Sequence, residues 1–129
     1  MIVDWRLEVI YQCVSSMGIM LSNLEDKQSF TLQFEDGDCL HLDLDQQDCI
    51  RVSIRRELNT TEIDELLDRL LRFNFYKRYA ALQPLAYLLE ESLVVRLVLS
   101  QSQLRKNSMA ESIETLRAAR EHIMDARYV

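Results

Sequence analysis

The hydrophobic period of this chain switches repeatedly between helical and strand spacing, and that switching constrains the fold more than any motif does. Val3, Leu7, Ile10, Val14 and Met17 recur at helical spacing, with Cys13 on the same face and Gly18 where a left-handed C-terminal residue sits. This predicts an amphipathic helix over about 3–17. Ile2, Trp5 and Val9 widen its apolar surface beyond what one core contact needs. The period then falls to two. Phe30, Leu32 and Phe34 alternate with Thr31, Gln33 and Glu35, and Asp36-Gly37 follows as a hairpin signal. Leu40, Leu42 and Leu44 alternate with His41, Asp43 and Asp45. After a second turn over 45–48, Ile50, Val52 and Ile54 alternate with Arg51, Ser53 and Arg55. Three antiparallel strands with one apolar and one polar face are expected.

Helical spacing returns after Asn59-Thr60-Thr61-Glu62, which supplies capping residues. Ile63, Leu66, Leu67, Leu70 and Leu71 form the stripe of a second helix over about 61–75, with Asp64, Glu65 and Asp68 opposite. Residues 73–79 are aromatic and basic, and Pro84 stops a helix from running through Gln83. Leu85, Tyr87 and Leu89 read as a strand, Glu90-Glu91-Ser92 as a turn, and residues 93–99 as a central, well-buried strand with Arg96 its only charge. Ser108-Met109-Ala110-Glu111 is an S-x-x-E capping box that opens a last helix to about residue 126. The order is α-β-β-β-α-β-β-α, an α+β fold with helices packed on a single twisted antiparallel sheet.

At 129 residues the chain is expected to be one domain, large enough to bury a core without disulfides or metal. Lys+Arg 15 against Asp+Glu 21 gives a net charge of −6, so nucleic acid and anionic membrane surfaces are poor partners. Cys13, Cys39 and Cys49 are an odd number without C-x-x-C spacing, which points to reduced thiols and a cytoplasmic location. Asp4, Arg6 and Glu8 interrupt the N-terminus, unlike a signal peptide. The longest uncharged apolar stretch, 79–89, is too short to insert in a bilayer.

Catalytic, metal and cofactor sites are not expected. His41 belongs to the polar face of a strand, and His122 to the last turns of a helix, where a cation suits the dipole. No H-x-x-H or C-x-x-C occurs, and Gly18 and Gly37 form no phosphate loop. Cys39 and His41 could meet a nucleophile's requirements, but polar-face placement explains them more simply. Asp36, Asp38, Asp43, Asp45 and Asp48 lack EF-hand spacing and suit turns and an exposed face. What stands out is apolar surface. The second helix presents either a dimer seam or a face that packs on the sheet, and the first helix poses the same question.

In the order and lengths of its elements the whole chain resembles the class I chaperones of bacterial type III secretion, the family of the Tir and Yop chaperones. The resemblance lies in a first helix closing at Met17-Gly18-Ile19, strands at 29–35, 39–45 and 49–55, a helix at 62–74, a strand pair at 85–89 and 93–99, and the capped last helix. It implies a cytoplasmic dimer, of itself or with a paralogous chaperone. Its cargo is the N-terminal region of a secreted effector or gatekeeper protein, held extended and secretion-competent. Cargo side chains fill grooves, and the cargo sometimes adds a strand to a sheet edge. Carried onto this sequence, the resemblance places the dimer contact at Leu66, Leu67, Leu70, Leu71, Phe73, Leu85 and Tyr87. It places cargo binding at Val3, Trp5, Val9, Phe30, Leu32 and Phe34. Two other readings stay open: a small adaptor or regulatory subunit that binds a folded partner, and a small enzyme using Cys39, His41 or the aspartates.

Overall fold

A computed structural model describes residues 4–17, 29–44, 48–75, 84–106 and 108–125. Asp4 starts the first helix, α1 (Trp5–Ser16), by accepting the Arg6 backbone N–H at 3.0 Å, and the Arg6 guanidinium closes on the same carboxylate at 2.7 Å. Ile10, Cys13 and Val14 are its buried face. The expected stop, Gly18, lies outside the described residues. Three strands follow: β1 (Ser29–Gln33), β2 (Cys39–Asp43) and β3 (Cys49–Glu57). The first two end two residues earlier than their alternation suggests. After β1 the turn takes those residues: the Phe34 N–H donates to the Asp38 carbonyl at 2.8 Å and the Gly37 N–H to the Phe34 carbonyl at 3.2 Å; after β2, Asp45 lies outside the described residues. Gly37 has φ +102°, a conformation that L side chains rarely adopt. β3 runs two residues past its expected end because it pairs along its whole length with a later strand.

Asn59 and Glu62 cap α2 (Thr60–Phe75) reciprocally: the Glu62 N–H donates to Asn59 Oδ1 at 3.1 Å and the Asn59 N–H to Glu62 Oε1 at 3.2 Å. Most of the aromatic, basic segment at 73–79 lies outside the described residues. β4 (Leu85–Leu89) and β5 (Ser92–Ser100) form a hairpin whose turn residue Glu90 has φ 56°. A six-residue helix that the periodicity does not predict follows, α3 (Gln101–Lys106). Its start is a second capping box. The Ser100 N–H donates to Gln103 Oε1 at 2.8 Å, and the Gln103 N–H donates to Ser100 Oγ at 3.4 Å. The last helix, α4 (Met109–Met124), begins as expected at Ser108, whose Oγ accepts the Glu111 N–H at 3.1 Å.

The five strands form one antiparallel sheet in the order β1-β2-β3-β5-β4. Alternation sends Phe30, Leu40, Leu42, Ile50, Val52, Ile54, Ala86, Leu93, Val95, Leu97 and Leu99 to one face. There they share a core with the buried residues of α1, α2 and α4. The outer face carries Thr31, His41, Ser53, Arg96 and Leu85 in one cross-strand row, and Cys39, Arg55, Val94 and Tyr87 in the next. No described helix is long and apolar enough to cross a membrane.

Candidate functional site

Burial within the chain divides the α2 leucines into two stripes. Leu66, Leu70 and Phe73 are 1%, 5% and 6% exposed and belong to the chain's own core. Leu67 and Leu71 are 47% and 58% exposed. Asn74, seven residues after Leu67 and three after Leu71, shares their stripe. Its side chain grips the backbone of edge strand β4 as a peptide would. Nδ2 donates to the Ala86 carbonyl at 2.6 Å, and Oδ1 accepts the Ala86 N–H at 3.0 Å. The leucine stripe therefore runs beside β4. Past that edge the outer sheet face continues it with Leu85, Leu89 and Val98, each more than 40% exposed. Five of the seven exposed large hydrophobic residues among those described lie on α2, β4 and the outer face of β5. Tyr87 is half-buried, with the Arg96 guanidinium 5.6 Å from its ring centre. Leu89, Val98 and Asn74 are members that sequence reasoning did not single out. For Leu89 and Val98, outward strand parity is the signal that finds them. For Asn74 there is none, since its partner is twelve residues away.

The other edge of the sheet is built differently. On β1, Phe30 is buried and Leu32 and Phe34 are partly buried against the core; on α1, Trp5 and Val9 are partly buried against the core, and Val3 lies outside the described residues. Because the Phe34 N–H bonds inward to β2, alternation turns the backbone of Thr31 and Gln33 away from β2. Among the described residues no strand covers that side of β1. Helix α1 also borders a cavity of about 260 Å³ lined by residues including Val9, Cys13, Leu104 and Met109. Burial pushes the Cys13 thiol above its usual range, which suits packing rather than nucleophilic work.

A charged cluster fixes the β1–β2 turn. Asp38 has no exposure. It accepts from Arg56 Nε at 3.0 Å, Arg120 Nη2 at 2.8 Å and Arg117 Nε at 3.4 Å. Arg117 also pairs with Asp36 and stacks on the Phe34 ring, 4.2 Å from its centre. The Asp38 backbone N–H and the Arg117 guanidinium hold the Asp36 carboxyl below its usual range against the opposing effect of burial. Strand β3, helix α4 and the turn are thus pinned together next to β1. His41 on β2 has its Nδ1 3.1 Å from Thr31 Oγ1. Among the described residues no group of three or more histidines, cysteines or carboxylates is placed to hold a metal ion.

No family model matches this chain, and no curated protein matches it. Solved structures share its fold. YbjN from E. coli, described as a proposed transcription regulator, is 18% identical, with a TM-score of 0.59 over 92% of this chain and 87% of that one. A chain from the HopA1–SchA chaperone–effector complex is 17% identical, with a TM-score of 0.56 over 93% of this chain and 99% of that one. At these identities what the likeness shows is a shared α+β fold, one found in a chaperone–effector complex.

Proposed function

We propose that this chain is a cytoplasmic type III secretion chaperone without enzymatic activity. It binds the N-terminal region of a secreted effector or gatekeeper protein in extended form and keeps it soluble and secretion-competent. The observation that carries this reading is the asymmetry of the sheet edges. β4 is sealed at Ala86 by Asn74, whereas β1 turns the backbone of Thr31 and Gln33 outward beside its own partly buried Leu32 and Phe34. An extended segment added to β1 would gain main-chain hydrogen bonds, and its alternate side chains would meet this apolar border. The likeness to a chain of a chaperone–effector complex supports it. The chain self-associates through the exposed half of the expected seam, Leu67, Leu71 and Leu85 with Tyr87, while Leu66, Leu70 and Phe73 hold the helix that presents it. The test is capture of partners by the tagged chain in its native bacterium, with limited proteolysis and amide exchange on the complex. One secreted protein, protected over an extended N-terminal stretch, with slowed exchange at Thr31 and Gln33, supports the proposal. A folded cytosolic partner that leaves β1 unprotected overturns it. That outcome favours a non-enzymatic adaptor or regulatory subunit, the reading to which the likeness to YbjN lends support.

A further inference from the structure

Residues 29–34 carry no charge, although 28% of the chain is charged and its net charge is −6. An edge strand is ordinarily guarded by a charge, a proline or a covering element. β4 is guarded at Ala86, where Asn74 bonds both backbone groups. β1 contains neither charge nor proline, and no described strand lies on its outer side. The same strand is complementary to itself. Around Thr31 its polarity is symmetric: Ser29 and Gln33 are exposed, Phe30 is buried and Leu32 partly so. The inward bond of the Phe34 N–H sets the parity, so Ser29, Thr31 and Gln33 turn their backbone away from β2. In an antiparallel pair, each outward residue faces another and exchanges two main-chain hydrogen bonds with it. A two-fold axis at Thr31 sets Thr31 opposite its own copy and Ser29 opposite Gln33, so every outward N–H and carbonyl of β1 finds a partner. On the core side of the sheet, Phe30 falls opposite Leu32. Polar meets polar, apolar meets apolar, and no charged residue lies within the paired strands.

We propose that an unoccupied β1 pairs with β1 of a second copy, antiparallel and centred on Thr31, and that this pairing competes with the partner segment for the same backbone groups. The competition rests on the partner reading above; the pairing itself does not, and it is separate from the α2 seam. An edge of five residues buries little area, so the contact is weak, with a dissociation constant of about 100 μM or above. The experiment is amide exchange on the full chain without partner, at about 10 μM and about 1 mM, on either side of that constant. It compares wild type with Thr31→Lys and Thr31→Glu. Thr31 is exposed, so both variants are expected to fold, and circular dichroism checks this. In the wild type, exchange at Ser29, Thr31 and Gln33 is expected to slow at the higher concentration. Each variant alone sets like charges opposite each other at the axis and weakens the pairing about threefold or more, while an equal mixture of the two recovers the slowed exchange. If wild-type exchange at these amides does not change with concentration, or slows as much in each variant alone, the pairing is overturned while the partner reading stands. At the lower concentration the edges are free, so capture of the partner tests that reading separately. Slowed exchange in the concentrated chain, together with a captured partner that leaves Thr31 and Gln33 exchanging as before, overturns the partner reading at β1 and the competition with it, while the pairing stands.

Discussion

Asp38 is a carboxylate with no solvent exposure and three guanidiniums around it, so its contribution depends on those partners staying in place. Removing one member of such a buried group leaves charge poorly compensated, and Arg120, only 12% exposed, would keep only its longer 3.7 Å contact to Asp36. Asp38→Asn is expected to lower the unfolding free energy by about 3 kcal/mol at neutral pH. Chemical denaturation measures this; a loss within the error of the fit would mean that the arginines re-solvate freely. Asp36 is 40% exposed and shares the same arginines, so Asp36→Asn should be much milder. Its effect has a defined pH sense. The folded-state carboxyl titrates below its unfolded value, so its contribution is present above the unfolded pKa, near 4, and is lost as pH falls through the folded one. Wild type and Asp36→Asn should therefore differ at pH 7 and converge in acid. A gap that persists unchanged down to pH 2 would assign the difference to packing instead.

Among the elements, β1 and β4 show what an edge strand has to manage, since both face outward but, among the described residues, a side chain bonds the outward backbone of β4 alone. Thr31→Pro deletes an outward N–H and leaves the β2 ladder bonded, so proline should be tolerated there as at other edges. Melting should change little, while affinity for the extended partner segment should fall about tenfold or more, since strand addition loses a bond and meets the ring. Retained affinity, by titration calorimetry with the co-purified segment, would remove β1 as the site. Asn74→Ala should instead cost about 1–3 kcal/mol, because it leaves two backbone groups of Ala86 without partners, and should speed amide exchange at Ala86. The strands are readable in the sequence because alternation holds over Phe30 to Phe34, Leu40 to Leu44 and Ile50 to Ile54, and a half-buried strand has no other pattern available to it. Helix α3 is not, because a single short turn bearing only Leu104 as an apolar residue cannot display a period. Its Ser100-x-x-Gln103 box is the signal that remains. The extent of β3 is equally hidden: Arg56 and Glu57 join it through pairing with Leu93 and Ser92, a long-range event.

At the scale of the whole molecule, the question is which apolar surface the chain covers by itself. Sequence spacing gives α2 one broad leucine face and cannot say which half meets the sheet. That choice is made by the Asn74 contact to Ala86, which the helix's own periodicity does not contain. The answer divides neighbouring leucines into opposite roles. Leu70 is 5% exposed, so Leu70→Asp puts a carboxylate into the core and should unfold the chain or melt it well below wild type. Leu67 is 47% exposed, so Leu67→Asp should keep the circular dichroism spectrum and melting temperature of the monomer nearly unchanged. It places a charge on the leucine stripe, where self-association would have to desolvate it. On the proposed self-association, sedimentation at micromolar concentration is expected to show a dimer for the wild type and a monomer for Leu67→Asp. A folded variant that remains dimeric would move the seam away from α2. A variant that unfolds as Leu70→Asp does would show that both stripes serve the core, leaving β4 and β5 to carry any exposed contact.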